Sequence, residues 1–188
     1  MKAPHRFEAR SKSLLMDEDR RKRQSPESVL GRTDARSGQI WADLGCGVGY
    51  FTIPLARMGA RVLAMDAQSE MLETLVSLAG SELNRICPLL ANIPPLPLLD
   101  ASVDRALMVN VLHEVADKEL IASEIFRILK PDGHLILVDF QKRDTPHGPP
   151  IQERLSPEDV LSIFRKMRQK ARWDEEEYYQ LDLALDDD

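Results

Sequence analysis

The sequence predicts an α/β protein with a mostly parallel sheet and helices on both faces of that sheet. Two observations carry this prediction. Short apolar runs of strand length alternate along the chain with segments of helical period, and turn residues separate the two kinds of segment. A strand, a helix and a second strand in this order form a right-handed parallel crossover, so the helices lie against the faces of the sheet.

The predicted strands are apolar runs bounded by polar or glycine-rich segments. Five of them alternate with helices, and a sixth shows weak alternation near the end of the chain. They cover residues 40–44, 61–66, 86–91, 103–109, 134–140 and 178–185. Residues 92–97 contain three prolines and are predicted to be irregular. Pro131-Asp132-Gly133 is predicted to be a stop and a turn before the fifth strand.

The predicted helices are placed by their start signals. Four begin at a side chain that can accept a hydrogen bond from the first turn, namely Ser25, Ser69, Asp117 and Ser156. The fifth covers residues 50–58, with Pro54 in its first turn. The apolar side of the helix after Ser69 consists of Met71, Leu72, Leu75, Val76 and Leu78. The last two helices are predicted to end at residues 129–130 and near residue 170.

Length and composition predict one domain, residues 24–188, preceded by a mobile basic arm over residues 1–23. No apolar run is long enough to span a membrane, and the charged N-terminus does not resemble a secretory signal. The two cysteines, Cys46 and Cys87, are too few for a disulfide framework and lack metal-ligand neighbours. We therefore expect a cytoplasmic protein without a bound metal.

The charge of the chain disfavours a nucleic-acid partner. The net charge is −6, whereas phosphate binding needs a basic surface. One basic cluster, Arg20-Arg21-Lys22-Arg23, has two interpretations. It is a contact for RNA or another anionic partner, or it is a solvated helix end, which is the commoner role of such a run.

The most informative segment is the loop Asp43-Leu44-Gly45-Cys46-Gly47-Val48-Gly49. It follows a predicted strand and leads into a predicted helix, and its glycines allow a ligand to approach the backbone and its amides. A dinucleotide-binding G-x-G-x-x-G loop would need a third glycine where Tyr50 stands. The remaining interpretations are a cofactor loop of another class and a plain glycine turn.

The spacing D-x-G-x-G-x-G resembles the first motif of class I S-adenosylmethionine-dependent methyltransferases. Three further segments, residues 96–104, 110–115 and 129–135, resemble later segments of the same family, so the likeness covers roughly residues 40–140. The branch with ubiquinone- and menaquinone-biosynthesis methyltransferases is the most similar. The resemblance implies a Rossmann-like, doubly wound sheet of about seven strands, with S-adenosylmethionine as methyl donor and S-adenosylhomocysteine as product.

The resemblance also implies a set of cofactor-binding residues on the loops that follow the first four strands. They are Asp43, Gly45, Cys46, Gly47, Gly49, Asp66, Ala67, Met71, Asn92, Ile93 and Asn110. The loop acid and free loop amides suit the ammonium and carboxylate of the cofactor. Asp66 suits the ribose hydroxyls, although a strand-end aspartate is also a common helix cap. Met71 suits either the adenine or the core, and Asn92 stands where the family often has aspartate.

His113 is the candidate general base, because its pKa is near neutral and it follows the fourth strand. The alternative is a structural histidine that only bonds a backbone group or points to solvent. The long segment from Asp139 to Leu155 is expected to form a wall or lid over a substrate. The predicted function is methyl transfer to a small-molecule acceptor. The alternative is a non-catalytic protein that binds the cofactor as a sensor or partner subunit.

Overall fold

A computed structural model describes residues 18–185 of the chain. Contacts divide the chain into two compact units, one ending at Ile93 and the other beginning at Pro94. The boundary lies in the proline-rich segment after the third strand, inside the region predicted as a single domain. The assignment of residues 24–188 to one domain stays a prediction. No helix in the described part of the chain is long and apolar enough to cross a membrane.

The first unit has three parallel strands in the order β3-β2-β1. The strands are β1 (Ile40–Leu44), β2 (Arg61–Asp66) and β3 (Ile86–Leu90). The helices are α1 (Glu18–Arg23), α2 (Pro26–Gly31), α3 (Thr52–Arg57) and α4 (Ser69–Ala79), with a 3-10 helix at Gly80–Arg85. Leu44 pairs with Met65, and Asp66 pairs with Leu90. The carboxyl ends of all three strands therefore lie at one edge.

The second unit has four strands in the order β4-β5-β7-β6. The strands are β4 (Val103–Val109), β5 (Leu129–Phe140), β6 (Met167–Asp174) and β7 (Tyr178–Leu185). The helices are α5 (Lys118–Ile128) and α6 (Pro157–Ile163), and short 3-10 helices cover Leu112–Glu114 and Ile151–Glu153. Strands β4 and β5 are parallel, whereas β7 runs antiparallel to both of its neighbours. Residues 18–185 thus contain seven strands, and the predicted count of about seven is confirmed.

Three of the four predicted helix caps are confirmed. The side chains of Ser25, Asp117 and Ser156 accept hydrogen bonds from the first turns of α2, α5 and α6. The prediction for Ser69 is wrong, because Ser69 is the first residue of α4 and Gln68 precedes it without a side-chain cap. The helix period also differs from the prediction at two positions, since Val76 and Leu78 are exposed while Met71, Leu72, Leu75 and Ala79 are buried.

Two boundary predictions in the second unit are wrong. The helix after Ser156 ends at Ile163, and Met167–Asp174 forms β6 instead. Arg, Lys and Gln favour a helix locally, but pairing with β7 overrides this weak preference. The segment Pro131-Asp132-Gly133 lies inside β5, where the pairing with β4 shifts between Val103 and Arg105. The predicted turn is therefore an irregularity within one strand.

The end of the predicted N-terminal arm is helical. Helix α1 covers its last six residues, and residues 1–17 lie outside the described part of the chain. The guanidinium of Arg20 lies 4.3 Å from the centre of the Tyr50 ring, and the Tyr50 hydroxyl donates to the Gln24 carbonyl at 3.1 Å. Arg21 and Lys22 pair with acids on the surface of the same unit. The basic cluster therefore forms the last turn of α1, and two of its members have acidic partners nearby.

Candidate functional site

The glycine loop leaves the carboxyl end of β1 with a backbone that favours glycine. Gly45, Gly47 and Gly49 have φ angles of +76°, +54° and +88°. Residues with a side chain adopt these left-handed conformations at a cost of about 1–2 kcal/mol. A Cβ atom on Gly49 would overlap Leu75 Cδ1 of α4 and lie 3.3 Å from Ile53. The third glycine thus lets the loop pack directly against a helix.

The loop amides are held by the end of β2. Gly45 N and Cys46 N donate to the Met65 carbonyl at 2.8 and 2.9 Å, and Gly49 N donates to the Cys46 carbonyl at 3.0 Å. Gly47 N donates to Asp66 Oδ2 at 2.9 Å. The expectation of free amides is therefore wrong at these positions, because the parallel register brings the end of β2 beside the loop.

Asp66 bridges two segments and is not the cap of α4. Its Oδ2 accepts from Gly47 N, and its Oδ1 accepts from Gln68 N at 2.9 Å. Each carboxylate oxygen has room for a second hydrogen bond, so the same side chain can accept two neighbouring hydroxyls. Its position at the end of β2, beside the loop, is that of a ribose-binding aspartate in a nucleotide fold.

Asp43 is a buried acid at the start of the loop. It is 3% exposed, and its Oδ2 accepts a hydrogen bond from the Thr52 hydroxyl at 2.6 Å. Burial raises the pKa of Asp43 to about 7, and the charge of Asp66 adds to the effect. Burial and these two acids also raise the pKa of Cys46, so its thiol stays neutral. A cation beside Asp43 would offset the cost of its buried charge, so the acid fits the ammonium of S-adenosylmethionine.

The other predicted cofactor residues occupy varied environments. Met71 is 2% exposed, as core packing predicts, and its contact with adenine stays a prediction. Ala67 and Ile93 are half-buried and Asn92 is exposed, at the ends of β2 and β3. In the second unit Asn110 follows β4 with a φ of +57°, a conformation that asparagine tolerates well. Its amide donates to the Val138 carbonyl at 2.8 Å.

His113 forms a buried pair with Asp139. The ring is 6% exposed, and Nδ1 lies 2.8 Å from Asp139 Oδ1. Val109 and Val138 are paired in the parallel β4–β5 register, so both segments leave the same edge of these strands. The rings of His113 and Phe140 also form a T-shaped pair, with centres 5.9 Å apart. The alternative of a histidine that only bonds a backbone group or points to solvent is therefore wrong.

The charges around His113 decide its protonation. Burial is the largest influence and acts to lower the pKa of His113, but the hydrogen bond and charge of Asp139 oppose it. The nearby acids Glu114 and Glu153 act in the same direction as Asp139, and the net result is a raised pKa. Glu114 Oε1 is 4.0 Å from Nε2, which is too long for a hydrogen bond.

An open cavity of about 450 Å³ lies beside His113. It is lined by His113, Lys118, Lys142, Gln152, Glu153, Arg154, Leu155, Asp159, Ser162 and Ile163. Lys142 pairs with Asp159 at 2.7 Å, and the Lys118 ammonium donates to the Val115 carbonyl at 2.8 Å. The volume is in the usual range for sites that bind small molecules. Part of the segment expected to form a wall lines it, and the lid role stays a prediction.

Arg154 organises that segment and was not singled out from the sequence. It is 5% exposed, and its guanidinium donates to the carbonyls of Pro149, Gln141, Arg143 and His147 and to the Thr145 hydroxyl. The guanidinium also lies 5.6 Å from the centre of the Phe140 ring. The only sequence signal was a lone arginine at the end of a proline-rich segment, which does not reveal its partners.

Comparison with known proteins gives the family. Residues 42–137 match the methyltransferase domain family. The chain belongs to this family. The family and its fold imply S-adenosylmethionine as methyl donor. The fold is shared with an S-adenosylmethionine-dependent methyltransferase from Aquifex aeolicus at a TM-score of 0.89 and 24% identity, over 96% of this chain and 100% of that one. The predicted doubly wound, Rossmann-like fold is confirmed.

Two curated relatives show how far the similarity extends. Methyltransferase GfsG of Streptomyces halstedii is 32% identical over 63% of this chain and 44% of its own length. The 2-phytyl-1,4-naphtoquinone methyltransferase of a Nostoc species is 28% identical over 85% of this chain and 70% of its own. The chain spans less than half the length of several such relatives. The quinone-related branch is thus supported only loosely.

Proposed function

We propose that the chain transfers a methyl group from S-adenosylmethionine to a small-molecule acceptor. The observation that carries this proposal is Asp66, whose carboxylate holds the glycine loop through Gly47 N at the carboxyl end of β2. A loop with three left-handed glycines and a strand-end carboxylate within hydrogen-bonding distance form the two halves of a nucleoside-binding site. Family membership selects the methyltransferase class among the possible ligands of such a site.

Different residues of the first unit bind different parts of the cofactor in this proposal. We assign the ribose hydroxyls to Asp66, the ammonium to buried Asp43, and the adenine edge to Asn92 and Ile93. The cofactor supplies a methyl group already activated by its sulfonium, so the enzyme needs only to align the acceptor and remove a proton where one must leave. We assign that second task to His113.

Three observations favour a small-molecule acceptor. The cavity beside His113 has the volume of a small-molecule site. The net charge of −6 disfavours nucleic acid. The Nostoc relative is named for a naphthoquinone acceptor. A cytoplasmic location is proposed on the cysteines alone, since Cys46 and Cys87 are both free.

Calorimetric titration with S-adenosylmethionine, S-adenosylhomocysteine and NADH tests the proposal. We expect heat of binding with the first two ligands and none with NADH. Asp66→Ala removes two hydrogen bonds to a charged group and should weaken S-adenosylmethionine binding about a hundredfold or more. Asp132→Ala, at an exposed position, is the matched control and should leave binding unchanged. Binding of NADH alone would overturn the proposal.

A methylation assay separates the enzyme from a cofactor sensor. Production of S-adenosylhomocysteine in the presence of a hydroquinone probe is expected for the wild-type chain. Tight cofactor binding without turnover on any phenol, amine or carboxylic acid in a panel would favour the sensor or partner subunit instead.

A further inference from the structure

The Asp139 carboxylate is held in a fixed orientation at the end of β5. It is 1% exposed, its Oδ1 accepts a hydrogen bond from the Phe140 amide at 2.8 Å, and the same oxygen lies 2.8 Å from His113 Nδ1. Phe140 forms a T-shaped pair with the His113 ring, and the Arg154 guanidinium lies over Phe140. The imidazole is therefore restrained at one nitrogen and by its contact with the Phe140 ring, as a group on rigid elements should be for chemistry.

The second oxygen of Asp139 is unusual. Oδ2 is buried and has no hydrogen-bond partner among the described residues. Most buried carboxylate oxygens have a donor, and exceptions call for a functional explanation. Without such a donor, the negative charge of Asp139 is not shared with a wider hydrogen-bond network. The nearest group that can become positive against it is the His113 ring, at 2.8 Å.

The other charged groups near the ring do not replace Asp139. Glu114 and Glu153 add negative charge, and the Oε2 atom of Glu153 is buried without a hydrogen-bond partner. Lys118 is the cation of α5 in the cavity lining, and its ammonium already donates to the Val115 carbonyl. The Tyr179 hydroxyl on β7 donates to the Leu155 carbonyl. Only Asp139 makes a direct hydrogen bond to the ring among the described contacts.

We propose that Asp139 is a positioning residue that keeps the proton of neutral His113 on Nδ1 and so presents the Nε2 lone pair to the cavity for proton removal from the acceptor. This inference rests on the proposed function. It narrows the acceptor to molecules methylated at an atom that loses a proton, such as a hydroxyl or phenol. A thioether or tertiary amine has no such proton and needs no base such as the His113–Asp139 pair.

The proton and the charges balance in this step. The acceptor proton moves to Nε2, while the acceptor oxygen uses an electron pair to form its bond to the methyl carbon. The electron pair of the broken carbon–sulfur bond stays on sulfur, which becomes a neutral thioether. One positive charge is lost at the sulfonium and one is gained at the imidazolium, where Asp139 stabilises it. The proton then leaves His113 through the open cavity to solvent.

Nitrogen-15 NMR of the ligand-free protein tests the positioning role without any turnover. In the wild type we expect neutral His113 to carry its proton on Nδ1. In Asp139→Asn the amide NH₂ can donate to Nδ1, so the proton should move to Nε2 and the titration should move to lower pH. A wild-type ring with its proton on Nε2, or a tautomer and titration unchanged in Asp139→Asn, would overturn the proposal.

Asp182→Asn is the matched control, because Asp182 forms the same kind of pair with His134 in the same unit. It should leave the tautomer and titration of His113 unchanged. Both variants should bind S-adenosylmethionine like the wild type. The rate of methylation of a hydroquinone probe should fall about a hundredfold in Asp139→Asn. The increase of this rate with pH, which follows the loss of the His113 proton, should occur at lower pH than in the wild type. If the NMR results are as expected but no probe is methylated, the proposed function is refuted, while the positioning of His113 by Asp139 is established.

Discussion

Asp43 lies where a carboxylate is costly without a positive partner. Its only described hydrogen-bond donor is the neutral Thr52 hydroxyl, and burial raises its pKa to about 7. Buried charges in proteins are normally paired or bind a cation. The cost of this acid in the ligand-free protein is consistent with a role in holding the cofactor ammonium.

Replacing Asp43 by asparagine should change how stability depends on pH. The folded-state pKa of about 7 lies above the unfolded value of about 4, so folding takes up a proton between them. The stability from this protonation is complete below about pH 4 and is lost as the pH rises through 7. Between pH 5 and 8, the free energy of unfolding should therefore fall by about 2–4 kcal/mol less in Asp43→Asn than in the wild type, as measured by urea denaturation.

The control for this measurement is Asp132→Asn, at an exposed position. It should follow the wild-type pH dependence. Equal pH dependence of Asp43→Asn and the wild type would show that Asp43 is ionised at the same cost folded and unfolded. The variant should also bind S-adenosylmethionine more weakly at pH 8, because the charge opposite the ammonium is lost.

The glycine loop illustrates packing between elements. Gly49 and Gly38 have nearly equal φ angles, +88° and +87°, but only Gly49 faces a close neighbour, Leu75 of α4. Gly38→Ala should cost about 1–2 kcal/mol for the backbone alone. Gly49→Ala should cost about 1–3 kcal/mol more, because the added methyl group overpacks the contact with α4.

Thermal or urea denaturation of the two alanine variants measures this difference directly. The Gly38 variant carries the backbone cost without the contact, so it isolates the packing contribution. Equal destabilisation would mean that Leu75 moves aside freely and that the third glycine serves only its φ angle. Weaker S-adenosylmethionine binding in Gly49→Ala is also expected, since a displaced Leu75 contact would move the loop relative to α4.

Arg154 holds the segment from Gln141 to Arg154 as one structural element. Its guanidinium has a fork of donors that a lysine cannot reproduce. In Arg154→Lys we expect faster amide hydrogen exchange over residues 141–153 and a stability loss of about 2–4 kcal/mol. The affinity for S-adenosylmethionine should change little. The glycine loop, Asp43 and Asp66, to which we assign cofactor binding, all belong to the other unit.

Arg172→Lys is the control for this prediction. Arg172 pairs with Asp174 and Glu158 at the surface, where ion pairs contribute about 0–1 kcal/mol. Its substitution should leave exchange in residues 141–153 unchanged. Exchange that is equally slow in Arg154→Lys would mean that the backbone of this segment is ordered without the guanidinium.

At the scale of the whole molecule, the two kinds of proposed chemistry belong to different units. The glycine loop, Asp43 and Asp66 lie in the unit that ends at Ile93, and the His113–Asp139 pair lies in the unit that begins at Pro94. The parallel strands of each unit bring successive loops to one edge. This is why polar residues far apart in sequence become neighbours within a unit.

The sequence alone determined the features that depend on neighbouring residues. The strand–glycine–helix order, the acids at the ends of β1 and β2, and the caps at Ser25, Asp117 and Ser156 all follow local rules of backbone geometry and hydrogen bonding. These local patterns were enough to predict the fold class, whereas the cofactor was implied by the resemblance of the glycine loop to the methyltransferase motif.

Only the tertiary structure decided the features whose partners are distant along the chain. His113 and Asp139 are 26 positions apart and meet through the β4–β5 register, while β6 exists because β7 pairs with it. Local sequence favoured a helix for β6 and showed no partner for His113 or Arg154. Strand pairing and burial supply free energy that no local pattern contains, and they therefore determine these contacts.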